Sequence, residues 1–231
     1  MFAIDTFKRF RTTMEITEDQ SASIAICRKK IISHLNAFFW TNNSETQNAI
    51  DYGSYVRGTA VFGTSDIDIA FRLPPEIFEK FDSMKIGRQR AFLELLRSTL
   101  VDLDPAAKIN QFSGSVNLST EDGQMVDVRP YFLISGKDVY PDIRAKEEWR
   151  PFAPDLAQRV IEAKNTETRG NLVFICRAAR VWRTTMNAPI SGMLIDTLAY
   201  EFIDRSLYRM MGAIYHDCLI RDFFRYLAAV D

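Results

Sequence analysis

The stretch Ser65-Asp66-Ile67-Asp68-Ile69-Ala70-Phe71-Arg72-Leu73 constrains the fold more than any other part of the chain. Its residues alternate with the period of a β-strand, which sends Asp66 and Asp68 to one face, with Cα atoms ~6.7 Å apart, and Ile67 and Ile69 to the other. An isoleucine face of that kind is buried, so the strand belongs to a covered sheet. Two carboxylates on such a strand cost roughly several kcal/mol unless something neutralises them. A divalent cation does so. Hard oxygen ligands suit Mg²⁺, which holds few carboxylates and completes its shell with water and phosphate oxygens; Mn²⁺ fits the same donors. Pro74-Pro75 then ends the strand.

A second strand pattern, Gln124 to Ile134, contains Met125-Val126-Asp127-Val128-Arg129-Pro130. An acid set between two valines is out of place as a lone carboxylate, and Asp127 is the natural third ligand. Three such acids make a two-metal centre, with ions ~3.5–4 Å apart, one activating a hydroxyl and the other holding a triphosphate. Upstream, Gly53-Ser54 follows a strand-like segment at 46–52 and precedes a short helical turn. Glycine lets backbone N–H groups approach a phosphate, and the serine hydroxyl adds a donor. The interval from Gly53 to Gly58 resembles a P-loop, but Thr59 and Ala60 stand where Lys and Ser or Thr are required, which excludes that motif.

Around these motifs the periodicity predicts a long helix over 18–40, with Ile24, Cys27, Ile31, Leu35 and Phe38 on one face, and another over 87–101 through Ala91, Leu95 and Leu96. Short strands at 114–118 and 124–134 flank Glu121-Asp122-Gly123, a hairpin turn signal. From Asp155 onward the pattern is helical. The expected class is α+β: a catalytic lobe over 1–150, including the long helix, and an all-α lobe over 151–231. The apolar helical pattern 223–230 runs up to the final Asp231 without a cap, as in a chain cut from a longer protein or in a docked terminal helix.

Composition narrows the function. A 231-residue chain with 47% apolar and 26% charged residues folds, and a net charge of −1 provides no field for coating a nucleic acid. Cys27, Cys176 and Cys218 have no metal-ligand spacing and read as reduced core residues. No targeting segment and no ~20-residue apolar run is present, so a cytoplasmic protein without a membrane span in this segment is expected. His34 and His216 are isolated and read as non-catalytic; Trp40, Trp149 and Trp182 read as packing residues, and Arg28-Lys29-Lys30 as a solvated helix face.

The set Gly53-Ser54, Arg57, Gly58-Thr59, Ser65-Asp66-Ile67-Asp68 and Val126-Asp127-Val128-Arg129-Pro130 resembles the polymerase β-type nucleotidyltransferase superfamily. Within it the chain is most similar to the bacterial relatives of cyclic GMP-AMP synthase, the CD-NTases of anti-phage signalling, from the first helix to about Asp204. The resemblance implies a twisted mixed sheet with flanking helices, packed on a helical lobe with the active site in the cleft between them. It implies that Asp66, Asp68 and Asp127 hold Mg²⁺. It also implies triphosphate contacts from Gly53 and Ser54, from Arg180 in Arg177-Ala178-Ala179-Arg180-Val181-Trp182, where relatives usually carry lysine, and from Ser191 in Ile190-Ser191-Gly192. Read without the resemblance, Arg177 and Arg180 are exposed helix charges and Ser191 a helix start. Implied partners are nucleoside triphosphates, ATP among them, and a downstream effector bound through a cyclic oligonucleotide product, with no stable nucleic-acid partner. Two other functions fit the same motifs: transfer to a macromolecular acceptor, as in RNA tailing or protein nucleotidylylation, and a non-catalytic nucleotide-binding scaffold.

Overall fold

The computed structural model describes residues 2–110, 113–119, 123–144 and 148–230, with side chains from residue 6 onward. Its elements run α1 (Phe2–Thr13), α2 (Glu18–Trp40), β1 (Ala49–Asp51), α3 (Gly53–Val56), β2 (Ile67–Arg72), α4 (Pro75–Asp82), α5 (Arg88–Leu100), β3 (Lys108–Asn110), β4 (Ser115–Ser119), β5 (Met125–Ile134), β6 (Lys137–Asp142) and β7 (Glu148–Pro151). Helices α6 (Pro154–Glu167), α7 (Asn171–Thr185), α8 (Gly192–Ile203) and α9 (His216–Leu227) follow, with a 3₁₀ turn at Ala213–Tyr215 before α9. The α+β class is the expected one. None of the described helices is long and apolar enough to cross a membrane.

The chain divides into two compact units. One takes Glu18–Gly53 and Asp66–Pro154; the other takes Met1–Thr17, Ser54–Ser65 and Asp155–Asp231. The first is the sheet unit. Its strands lie in the order β1-β2-β5-β4-β3, with β6 on the far end of β5 and β7 on β6. The β2–β5 pair is parallel and its neighbours are antiparallel, which makes the sheet mixed. Strand β5 is long enough to serve twice, its first half bonded to β2 and β4 and its last residues to β6. The β4–β5 pairing joins the two strands of the expected hairpin; Glu121 and Asp122 of its turn lie outside the described residues.

Burial in the sheet unit follows aromatic and aliphatic side chains from both helices and strands. Phe92, Leu93, Leu96 and Leu100 of α5 are buried, as are Ile69, Phe71, Val128 and Phe132 of the strands. Phe78, Phe92, Phe132 and Trp149 form one aromatic cluster, with ring centroids 5.0–6.0 Å apart, and Trp149 donates its indole N–H to Asp82. Trp40 donates to the Arg72 carbonyl, and His34 holds the Thr99 carbonyl.

Several elements depart from the sequence expectations. The buried stripe of α2 is Ile31, Ile32, Leu35, Asn36 and Phe39, and Phe38 is 56% exposed. Asn36 replaces an apolar residue in that stripe because its side chain donates to the carbonyls of Ser44 and Gln47 and accepts from Asn48, closing the loop after the helix. In α5 the buried positions are Gln89, Phe92, Leu93, Leu96, Thr99 and Leu100; Ala91 and Leu95 are only half-buried. The segment at 46–52 narrows to Ala49–Asp51, since Asn48 adopts a left-handed backbone. Strands β6 and β7 carry Pro141 and Pro151, which mask their pattern. Of the cysteines only Cys176 is fully buried; Cys27 and Cys218 are half-buried.

The second unit is helical. Met14, Leu172, Ile175, Ala179, Ile195, Phe202, Leu219 and Phe223 are among its buried core, against which Phe7 and Phe10 of α1 pack. Trp182 meets Phe224 edge-on. His216 is stacked on Phe174 and bonded to Asn171, whose amide in turn holds the carbonyls of Arg209 and Met211.

In the sheet unit, Asp142 is a buried carboxylate held by Arg144 (2.6 Å) and Arg150 (2.7 Å). The hydrogen bonds from Arg144 are the main cause that lowers its pKa to about 2. A depressed carboxylate pKa contributes stability that is fully present above the ordinary value near 4 and is lost as pH falls toward 2. Asp142→Asn is therefore expected to cost about 1.5–3 kcal/mol at pH 7, with the gap to wild type closing between pH 4 and 2. Thermal melts across that range check it; a gap independent of pH contradicts it.

Candidate active site

The acids come together through strand register. In the β2–β5 pair Asp68 lies opposite Asp127, flanked by the pairs Ile67–Val126 and Ile69–Val128. Register partners on neighbouring strands face the same way, ~4.8 Å apart along the hydrogen-bonding direction. The isoleucines and valines fill the opposite face, and all four are buried. Asp66 departs from the expectation. It sits one residue before β2, exposed, so strand geometry does not fix its direction. Its charge is nevertheless felt at Asp127.

Asp127 is 5% exposed and well supplied with donors. Ser115 and Asn117 of β4 donate to its Oδ1, the amide at 3.2 Å, and the Tyr52 hydroxyl donates to its Oδ2 at 3.2 Å. Burial raises its pKa above the usual carboxylate value, and the Asp66 charge adds to that, against the opposing pull of Ser115, Arg129 and Tyr52. Burial, and then Asp127, push the Tyr52 phenol well above its ordinary range, so it stays a proton donor. The Arg129 guanidinium lies over the rings of Tyr52 (5.5 Å) and Tyr140 (4.9 Å). Tyr52, Ser115 and Asn117 were not legible as site residues. Their one signal is polar side chains two apart on β4, at Ser115 and Asn117, and a tyrosine directly after β1 and before Gly53.

Gly53 closes the other side of Asp68. Its backbone has φ +78°, and a Cβ built there would fall 1.8 Å from Asp68 Oδ2. The Tyr52 amide points to the Asp68 carbonyl at 3.5 Å. Among the described residues no three His, Cys, Asp or Glu side chains are gathered closely enough to hold an ion as they stand. Asp66 lies one residue before β2, so the strand period alone does not bring it to Asp68 and Asp127. The donor set still fits a hard cation: Asp68 and Asp127 are in register, the charge of Asp66 is felt at Asp127, and glycine at 53 leaves space beside Asp68 that any side chain would fill.

In the helical unit, Arg177, Arg180 and Arg183 recur every three residues on α7 and clasp the 57–64 segment. Arg177 donates to the Gly58 carbonyl (2.8 Å) and Arg183 to the Thr64 carbonyl (2.9 Å). Arg180 is 3% exposed rather than displayed to solvent. Its Nη2 donates to Asp196 Oδ2 (2.8 Å) and to the Gly192 carbonyl (3.0 Å). The same carboxylate oxygen receives Arg57 Nη2 (3.0 Å) and the Thr59 hydroxyl (2.9 Å). Gly192 is required here, since a Cβ would lie 2.2 Å from the Arg180 guanidinium. Ser191 is exposed and caps α8, its hydroxyl accepting from the Leu194 amide. Arg180 and the Ser191-Gly192 turn are therefore neighbours, but the guanidinium is engaged by Asp196. Ser54 is buried, and its carbonyl accepts from the amides of Thr59 and Ala60.

Residues 1–165 match the profile of the Second Messenger Oligonucleotide or Dinucleotide Synthetase domain, SMODS. A search of curated proteins found no match. Among solved structures the chain is similar to the STING-associated CdnE c-di-GMP synthase of Capnocytophaga granulosa, with TM-score 0.66 and 15% identity over 94% of this chain and 71% of that one. CdnC of Escherichia coli MS115-1 bound to ATP gives TM-score 0.66 and 18% identity over 96% and 71%. Escherichia coli DncV bound to 3′-deoxy GTP gives 0.61 and 16% over 78% and 51%. The fold is the one these structures share.

Two outcomes are expected. Gly53→Ala forces a side chain onto Asp68 and is expected to lower turnover about a hundredfold, with a smaller loss of thermal stability from its left-handed backbone. Arg180→Ala leaves Asp196 short of a partner and is expected to cost about 3 kcal/mol. Arg180→Lys should not restore it, because one ammonium does not span Asp196 and the Gly192 carbonyl. If Arg180→Ala melts like wild type yet loses triphosphate binding in calorimetry, the guanidinium serves the ligand instead.

Proposed function

The chain belongs to the Second Messenger Oligonucleotide or Dinucleotide Synthetase family of nucleotidyltransferases, and on that premise we propose that it joins nucleoside triphosphates into a cyclic oligonucleotide with release of pyrophosphate. The observation that carries this reading is the register of Asp68 with Asp127 on adjoining parallel strands. Asp66, Asp68 and Asp127 would hold Mg²⁺, which when bound supplies a lowered hydroxyl pKa and neutralises phosphate charge. The protein's own part is positional. Ser115 and Asn117 tie Asp127 to β4, and Gly53 gives Asp68 its space. In the reaction a ribose hydroxyl oxygen bonds to an α-phosphorus, the bond from that phosphorus to the bridging oxygen breaks, and pyrophosphate leaves with the electron pair. A second transfer within the linear product closes the ring.

The same reading gives Gly53, Ser54 and Ser191 roles toward the triphosphate, and Arg180 an indirect one through its hold on the Gly192 carbonyl. ATP is among the proposed substrates, and a downstream effector would bind the cyclic product. The near-neutral charge supports a small acceptor over an RNA.

Incubation with the four labelled triphosphates, Mg²⁺ and no added acceptor separates the functions. A phosphatase-resistant small product is expected, and Asp66→Asn with Asp68→Asn should abolish it while preserving a cooperative melt. Product formed only with RNA or protein would indicate a macromolecular acceptor, and nucleotide binding without turnover a scaffold. Asp127→Asn is expected to retain triphosphate affinity better than turnover; equal losses would assign the third acid to substrate binding.

A further inference from the structure

Tyr52 touches both register-paired acids, each by a different part of itself. Its hydroxyl donates to Asp127 Oδ2, its amide points to the Asp68 carbonyl, and the next residue is the glycine that packs against the Asp68 carboxylate. A carboxylate has two lone-pair directions on each oxygen. On Asp127 Oδ1 both are taken, by Ser115 and Asn117, whereas the bond from Tyr52 leaves one direction of Oδ2 for a cation.

The position of that hydroxyl is itself fixed. The Tyr52 ring meets Phe152 edge-on at 5.7 Å, and Phe152 in turn contacts Tyr131 and Tyr140. The Arg129 guanidinium lies over the Tyr52 and Tyr140 rings, two residues along β5 from Asp127 and hence on the same face. A cation over two partly buried aromatic faces is attracted to both. The cluster therefore ties the tyrosine to the strand that carries the acid.

We propose that Tyr52 is a positioning residue for the acid pair, its hydroxyl setting which Asp127 oxygen is offered to the divalent cation and Arg129 holding its ring in place. The inference rests on the metal-holding role proposed above. Neither residue touches the nucleotide in this scheme, so their effect is on the cation and not on the substrate.

Mn²⁺ titration followed by the electron paramagnetic resonance of the free ion, without nucleotide, tests it apart from activity. Tyr52→Phe keeps the ring and removes only the hydroxyl. It is expected to bind Mn²⁺ about tenfold or more weakly, to need a correspondingly higher Mg²⁺ concentration for half-maximal turnover, and to leave the triphosphate KM at saturating metal and the melting temperature near wild type. Arg129→Met should shift Mn²⁺ affinity in the same direction and Arg129→Lys should recover part of it. Wild-type protein that binds no Mn²⁺ overturns the metal-centred reading and this inference together. Wild-type binding with unchanged affinity in Tyr52→Phe overturns the inference alone, as does a Tyr52→Phe variant that loses melting temperature but no affinity.

Discussion

The chemistry proposed for this chain depends on one strand register. A parallel pair such as β2–β5 cannot be closed by a hairpin and needs a crossover. Here α4, α5, β3 and β4 are all threaded between its two strands. A slip of β2 by one residue against β5 would turn Asp68 away from Asp127, to the face now filled by Val126 and Val128. The apolar residues thus hold the acids where they are, and burial of the isoleucines and valines opposes the repulsion between the carboxylates. Hydrogen bonds from β4 and Tyr52 partly offset the burial of Asp127, whose pKa stays raised.

The helical unit solves a related problem with the signs reversed. Asp196 is 1% exposed and draws Arg57, Thr59 and Arg180 onto a single oxygen. Two guanidiniums and one carboxylate in a core carry a surplus positive charge, which neighbouring carbonyls such as that of Gly192 moderate. Removing Asp196 leaves two buried guanidiniums unpaired, which costs more than the pairs contribute.

How much was legible in the sequence follows from which physical code a residue uses. The two-residue alternation around Asp66, Asp68 and Asp127 encodes strand faces directly, so the acids and the α+β class could be read. Asp66 falls just outside β2 because alternation says nothing of where hydrogen bonding begins. Arg180 and Asp196 were opaque for another reason: a buried ion pair on helices uses the same residue types as a solvated surface, and only the partner's location distinguishes them. Asn36 misled the phase of α2 in the same way, since a polar residue that closes a loop reads as an exposed one. Tyr52, Ser115 and Asn117 depend on strand pairings between distant segments, which no local pattern records.

The order in which the chain leaves the ribosome gives the two units unequal histories. The sheet unit is nearly continuous, ending at Pro154, whereas the helical unit gathers residues 1–17, 54–65 and 155–231. Asp196 reaches Arg57 across a sequence separation of 139 residues. Contacts that distant form slowly and late. The acid-bearing sheet can therefore be complete while α7 and α8 are still being synthesised, and Arg57 and Thr59 must wait, unsatisfied, for a carboxylate made much later. That interval is when this protein is most exposed to misassembly during translation.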